Sequence, residues 1–244
     1  MPDLSTPHYQ LRLSTHLGAL RLNIQLALTA PWTVIFGPSG SGKSTILRAA
    51  CGLLPKAAVS SAFAAPGGWD DLDGSQHRVA AQLRRLGYAP QGAVLFPHLS
   101  VRDNIGFPAT ARHDQSAAGK LTDAAIELFE LTALAERMPR DLSGGERQRV
   151  SLARAFAVPA PRLMLLDEPF TGFDRTLRDT LLPRMQQHVK QLGVPVLSVT
   201  HDVEEALMLG ADVIRLEGGV IVEQGPASRV LAAERSRMLQ ILQP

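Results

Sequence analysis

Two spacings of apolar residues alternate along this 244-residue chain. In residues 20–30 (LRLNIQLALTA), apolar and polar positions alternate, which is the period of a half-buried strand. Trp32, Thr33, Val34, Ile35 and Phe36 then form a short, mostly apolar run that stops at Gly37. Residues 163–166 (LMLL) and 194–199 (VPVLSV) form two more. Runs of this length beside glycine or proline predict strands of a parallel sheet, covered on both faces. Helical spacing takes over between them. It predicts helices over 44–54, stopped by Pro55, and over 121–134, where Leu121, Ala125, Leu128, Leu131 and Leu134 share one face. Further helices are expected from Gly144 to 158, over 176–192 and over 203–209. A strand at 213–216 precedes Gly218-Gly219, the turn of a hairpin into Val220-Ile221-Val222.

Strands that alternate with helices at both ends of a chain imply an α/β fold with a doubly wound, mostly parallel sheet. Residues 56–90 are rich in Ala, Ser and Gly and hold strand-like pieces such as 59–64. Residues 92–158 lack strand signals and read as a helical insert. No repeat, linker or heptad run interrupts the pattern.

Composition narrows the class. Apolar residues make up 45% and charged residues 20%, which is too apolar for disorder. The formal charge is only +2 and aromatics are 5%, which points away from a basic or base-stacking nucleic-acid surface. No apolar run reaches the roughly 18 residues that a membrane-spanning helix needs, and the N-terminus has no basic start followed by an apolar core. The single cysteine, Cys51, makes neither an internal disulfide nor a cysteine zinc site, and it reads as a core residue. A soluble protein of a reducing compartment is expected, meeting any membrane through a partner.

The candidate chemistry sits at strand ends. Gly37-Pro38-Ser39-Gly40-Ser41-Gly42-Lys43-Ser44, followed by Thr45, fits G-x-x-x-x-G-K-[ST] between a strand and a helix. Glycines let the backbone wrap a phosphate chain with its N–H groups pointing inward, and the helix N-terminus adds positive potential. Lys43 is expected to reach the β- and γ-phosphates of ATP, and the Ser44 hydroxyl to ligate Mg²⁺. The strand 163–166 delivers Asp167-Glu168-Pro169. Asp167 is expected to hold Mg²⁺ directly or through water, and Glu168 to polarise the attacking water as general base.

Leu142-Ser143-Gly144-Gly145-Glu146-Arg147-Gln148 goes beyond a generic phosphate-loop enzyme. Here the chain resembles the ATP-binding cassette (ABC) ATPases, and LSGGERQRV looks like their signature motif. The resemblance covers essentially the whole chain in the family's order: phosphate loop 37–44, Gln91, signature 142–148, the acidic strand 163–168, Asp174 and His201. It implies a phosphate-loop NTPase core with a mostly parallel sheet, an antiparallel β subdomain and a helical lobe. Residues 1–91 and 159–244 would form the nucleotide-binding lobe, and 92–158 the signature lobe, with no further C-terminal regulatory domain. It also implies that two copies dimerise head to tail. Ser143, Gly144 and Gly145 of one copy then close over the γ-phosphate held by the other. By the same resemblance, Gln91 is expected to contact Mg²⁺ or the water, and the segment after it to touch membrane permease subunits. His201 is expected to position the water that Glu168 activates.

Some positions depart from the family pattern. Ser14, Thr15 and His16 stand where an adenine-stacking aromatic is common, and Tyr9 lies further back. Phe170-Thr171-Gly172-Phe173 precedes Asp174 where a small-Leu pair is commoner, and Pro90 precedes Gln91. Three functions compete: the ATP-hydrolysing subunit of a membrane importer, a soluble cassette acting on DNA or ribosomes, and a catalytically dead regulator. The stretch between Lys43 and Asp167 has no coiled coil and the chain has one cassette, which opposes the second. Intact Lys43, Glu168 and His201 oppose the third. The stretch LRLSTHLGALRLNIQLAL, the segment RRLGYAPQGAVLFPHLSVRDNI and the tail EGGVIVEQGPASRVL most resemble importer ATPases of the molybdate type, with sulfate and thiamine types behind. An importer subunit would lie at the cytoplasmic face of the inner membrane, held by its permease, indirectly serve a substrate-binding protein, and bind no nucleic acid.

Overall fold

The computed structural model of the chain describes residues 8–54, 58–65, 68–73, 78–110 and 115–242. In chain order the elements begin with β1 (Tyr9–Leu17), β2 (Leu20–Leu28), β3 (Trp32–Phe36), α1 (Lys43–Ala50), β4 (Ala58–Ala65) and β5 (Gly68–Asp71). Then come β6 (Leu86–Ala89), α2 (Val101–Thr110), α3 (Gln115–Leu128), α4 (Gly144–Phe156), β7 (Leu163–Asp167) and α5 (Arg175–Leu192). The last are β8 (Val196–Val199), α6 (Val203–Met208), β9 (Asp212–Glu217), β10 (Val220–Pro226), α7 (Ala227–Val230) and α8 (Ala232–Leu242). The fold is the α/β class expected, with both parallel and antiparallel pairing. Two compact units result: residues up to Arg84 together with those from Leu197 onward, and Arg85–Val196.

The first unit contains an antiparallel sheet in the order β2-β1-β4-β5. Its register sets Leu11 opposite Leu26 and Leu13 opposite Ile24, all four buried. The alternate positions Arg12, Ser14, Asn23 and Gln25 are exposed. A slip of one residue would turn every apolar side chain to solvent, so burial fixes the pairing. Each fully buried aliphatic side chain contributes about 1.5–3 kcal/mol. The unit also holds the run β10-β9-β3-β8. Here β9 is parallel to β3, with Thr33 opposite Asp212 and Phe36 opposite Arg215. The β9–β10 hairpin turns at Gly218 and Gly219, both at positive φ, as a tight hairpin turn requires.

A buried ion pair fixes where α1 ends. The Arg84 side chain is fully buried beside Asp73. It also donates to the carbonyl of Ala50 at 3.0 Å and to that of Val79 at 3.0 Å. Its planar fork satisfies a carboxylate and backbone carbonyls at once, the condition under which a buried charge is tolerated. A Cβ on Gly52 would lie 2.7 Å from the guanidinium, so the chain beside Arg84 has to be glycine. That glycine, at positive φ, ends α1 at Ala50, four residues before the expected stop. Pro55 lies outside the described residues. Cys51 is buried at this helix end, and burial pushes its thiol up to about 12, which removes it as a nucleophile at neutral pH.

The second unit pairs β6 in parallel with β7, Leu86 opposite Leu163 through Ala89 opposite Leu166. All of β7 is buried, as its uninterrupted apolar run predicts. Helices α2, α3, α4 and α5 complete the unit, and no strand is seen between residues 92 and 158 among those described. The apolar stripe expected over 121–134 is broken. Glu130 takes a positive φ after α3, and a short 3₁₀ turn (Thr132–Leu134) carries Leu134 back inward. No helix among the described residues is long and apolar enough to cross a membrane.

Candidate functional site

The phosphate loop is built from backbone. Buried β3 is anchored by its first residue, Trp32, whose Nε1 donates to Ser198 Oγ at 2.9 Å. Gly37 follows against the carbonyl of Leu216 on β9, where a Cβ would lie 2.1 Å away. The loop turns at Gly40 and Gly42, both at positive φ, and α1 starts at Lys43. Leu22 closes on Gly42 from the antiparallel sheet, leaving 2.6 Å for a Cβ. Pro38, Ser39 and Gly40 are exposed, while Ser44 and Thr45 in the first turn of α1 are half-buried. Lys43 is buried, and its Nζ donates to the carbonyls of Gly37 and Pro38 at 2.8 and 2.9 Å. The ammonium therefore sits inside the curl of its own loop. Ser41 Oγ is buried with no hydrogen-bond partner, a polar atom aimed where the chain offers none.

His201 is exposed on a braced turn in the same unit. The Thr200 amide donates to the Ile35 carbonyl of β3 at 3.3 Å, so His201 leaves β8 beside the strand that opens the phosphate loop. The Thr200 hydroxyl donates to buried Glu205 at 2.6 Å and accepts from the Asp202 amide at 3.0 Å. Asp202 caps α6 through the amides of Glu204 and Glu205. The position of His201 is legible from its place after an apolar strand, whereas the Thr200–Glu205 brace beneath it has no local sequence signal.

The carboxylates stand in the second unit. Asp167 ends β7 and is 3% exposed. Glu168 follows at φ +48, left-handed for a residue with a side chain, and Pro169 comes next. Such a conformation costs on the order of 1–3 kcal/mol and persists only where neighbours fix it. Glu168 Oε2 accepts from Gln91 Nε2 and from the Thr171 hydroxyl, each at 3.2 Å. Its carbonyl accepts from the Thr171 amide at 3.2 Å and the Gln148 side chain at 3.4 Å. The structure thus joins Gln91 to Glu168. Exposed Gln91 lies two residues past β6, and the segment after it has a firm shape. Buried Asn104 accepts from the Phe96 amide at 2.8 Å and donates to the carbonyls of Phe96, Leu99 and Ser100. Arg154 stacks on Phe96 and donates to the Val94 carbonyl at 2.6 Å.

The signature opens α4. Ser143 is the N-cap: its Oγ accepts from the Glu146 amide at 3.2 Å, and Glu146 accepts from the Ser143 amide at 2.7 Å. These bonds hold the Glu146 carboxyl below its usual range. Gly144 is exposed with open space around it, while a Cβ on Gly145 would lie 2.7 Å from the Gly172 carbonyl. The signature therefore packs on the turn that follows Glu168. Asp174 ends that turn and caps α5 through the Leu177 amide at 2.8 Å. One group of expected residues, 37–45 and His201, is gathered in the first unit. The other, Gln91, Ser143, Gly144, Gly145, Asp167, Glu168 and Asp174, is gathered in the second.

Residues 22–171, well over half of the chain, match the protein-family model described as ABC transporter. The molybdenum import ATP-binding protein ModC of Rhodopseudomonas palustris (strain BisB18) is 44% identical over 219 residues, covering 86% of this chain and 55% of that protein. The Fe(3+) ions import ATP-binding protein FbpC of Pseudomonas fluorescens (strain Pf0-1) is 42% identical over 194 residues, covering 79% of this chain and 53% of that protein. The chain spans about half the length of these curated relatives. Among solved structures, the dimeric ATP-binding cassette MJ0796 in a post-hydrolysis state, bound to ADP and Pi, superposes with a TM-score of 0.74 at 26% identity. It covers 90% of this chain and 98% of its own.

Proposed function

This chain belongs to the ABC transporter family, and from that premise we propose that it is the ATP-hydrolysing subunit of an importer for molybdate. The observation that carries the catalytic part is the turn at Glu168, where a half-buried carboxylate is held by Gln91 and Thr171 at the end of a buried strand. The importer part draws on the two relatives named for import, and molybdate on ModC.

The phosphates of ATP lie in the curl of residues 37–42, against the loop's backbone and the N-terminus of α1. Lys43 Nζ leaves the carbonyls of Gly37 and Pro38 for the β- and γ-phosphates, and Ser41 Oγ gains a partner. Ser44 and Thr45 meet the phosphates from the first turn of α1. Mg²⁺ suits the donors present. It is held by one or two carboxylates together with phosphate oxygens and water, rather than by a cage of protein ligands. Asp167, buried at the end of β7, the Ser44 hydroxyl and the Gln91 amide would supply such donors. When bound, Mg²⁺ would neutralise charge on the phosphates. Glu168 takes the proton of the attacking water, and His201 orients that water.

Two copies close head to tail. Ser143, Gly144 and Gly145 of each offer their hydroxyl and amides to the γ-phosphate bound by the other, and Asp174 lies at the same interface. The firm segment after Gln91 passes closure to permease subunits, which hold this chain at the cytoplasmic face of the membrane and in turn receive solute from a binding protein. Positioning and charge neutralisation supply most of the rate.

The test is uptake of labelled molybdate by a strain lacking the chain, complemented with wild type or Lys43→Ala, with sulfate, thiamine and ferric ion as competitors. Uptake should need the wild-type chain and yield only to unlabelled molybdate. A different competitor that wins would reassign the solute. Equal uptake with both chains would remove the coupling role.

A further inference from the structure

One buried side chain joins two functional segments of the second unit. Gln148 lies on α4, one turn past the signature glycines, and is 5% exposed. Its Nε2 donates to the backbone carbonyls of Glu168 and Pro169, at 3.4 Å each. Next to it, Gly145 meets the Gly172 carbonyl with no room for a Cβ. The helix α4 thus touches the turn after β7 at two places, and one of them is the carbonyl of Glu168 itself.

Glu168 depends on such contacts. Its left-handed φ of +48 is kept by what surrounds it, because no glycine is present to relax it. The side-chain bonds from Gln91 and Thr171 aim the carboxylate, but they do not hold the backbone from outside the turn. Gln148 does, from a residue 20 positions away in sequence. The residue type also matters. An amide holds two adjacent carbonyls without placing a charge beside the carboxylate. A lysine or arginine there would favour the ionised carboxylate and weaken it as a base.

We propose that Gln148 is a positioning residue that ties the backbone of Glu168 to the signature helix, so that an anion arriving at the N-terminus of α4 sets the general base of the same chain. The inference rests on the reading of Glu168 as base and of the signature as the seat for the other copy's ATP. In a head-to-tail dimer those two segments serve different nucleotides. Gln148 then connects hydrolysis at one nucleotide to the grip on the other.

The test is steady-state ATP hydrolysis by Gln148→Met, which keeps the length of the side chain and removes its donor. ATP affinity, KM and thermal melting are measured on the same variant, and ATP-driven dimerisation in the Glu168→Gln background. Turnover should fall about tenfold or more, the scale of a small misplacement of a reacting group. Affinity, KM and dimerisation should hold, a split that a merely structural role would not produce. Gln148→Asn, too short to reach both carbonyls, should give the same split and serves if the first variant does not fold. Wild-type turnover in a folded variant overturns the proposal, as does an equal loss of binding and turnover. A wild-type chain that hydrolyses no ATP, or normal turnover in Glu168→Gln, would instead overturn the reading beneath it.

Discussion

The phosphate loop and the Glu168 turn both follow buried strands, yet they are made differently. The loop is closed locally: Gly40 and Gly42 curl its backbone at positive φ, Gly37 lies against a β9 carbonyl, and the Lys43 side chain folds back onto the loop's own carbonyls. The turn is closed by side chains that come from far along the chain, with Gln91 77 residues and Gln148 20 residues away from Glu168. A backbone cradle suits a ligand whose shape never varies, such as a phosphate chain. A side-chain scaffold suits a group whose aim has to respond to the rest of the molecule.

Perturbation should separate the two. The largest effect is expected at Gly37→Ala, where a Cβ would sit 2.1 Å from a backbone carbonyl within β9. Chemical denaturation should show a loss on the order of 3 kcal/mol or more. Gly144→Ala in the signature faces open space, so the same measurement should change by no more than about 0.5 kcal/mol. If the two alanines cost the same, the contrast between a packed loop and an open one is wrong. Lys43→Ala comes next. It removes charge-assisted bonds to phosphate worth about 1.5–3 kcal/mol, so calorimetry should report ATP binding weaker by roughly 10- to 100-fold. Unchanged affinity would detach the loop from the nucleotide.

The smallest effect expected from a lost contact is at the cap of α4. Glu146→Ala removes the bond that the carboxylate accepts from the Ser143 amide, while the backbone amide at 146 still donates to Ser143 Oγ, and should cost about 1 kcal/mol near neutral pH. The Glu146 carboxyl is held low by the Ser143 amide first and by the Ser143 hydroxyl second. Its folded value lies below its unfolded one, so the stability it contributes is present above the ordinary carboxylate range. That stability is lost as pH falls through the lowered value. The difference in melting temperature between wild type and Glu146→Ala should therefore shrink on acidification, and a constant difference would deny the ionised cap.

The same contrast explains how much could be read from sequence. The strand Trp32–Phe36, the loop after it, the start of α4 at Gly144 and the burial of β7 were all legible, because glycine spacing, capping residues and apolar runs act locally. Strand β1 was less visible. Tyr9, Leu11 and Leu13 alternate, but polar Ser14, Thr15 and His16 follow and only pairing with β2 and β4 completes it. The early end of α1 depends on Arg84 and Asp73, 11 residues apart, meeting beside Gly52. Glu168 and Gln91 could be named from motifs, but not the left-handed backbone of the first or their bond across 77 residues. Gln148 sat inside a recognised motif, and nothing in that motif says which carbonyls it holds.

The central claim, that two copies of this chain close head to tail on ATP, is tested most directly by sedimentation of Glu168→Gln with and without Mg-ATP, alone and carrying Ser143→Arg. Glu168→Gln should be a monomer without nucleotide and a dimer with it, because binding persists while hydrolysis stops. The added arginine should keep it a folded monomer in both conditions. A dimer that forms without ATP, or one that survives Ser143→Arg, would contradict the account.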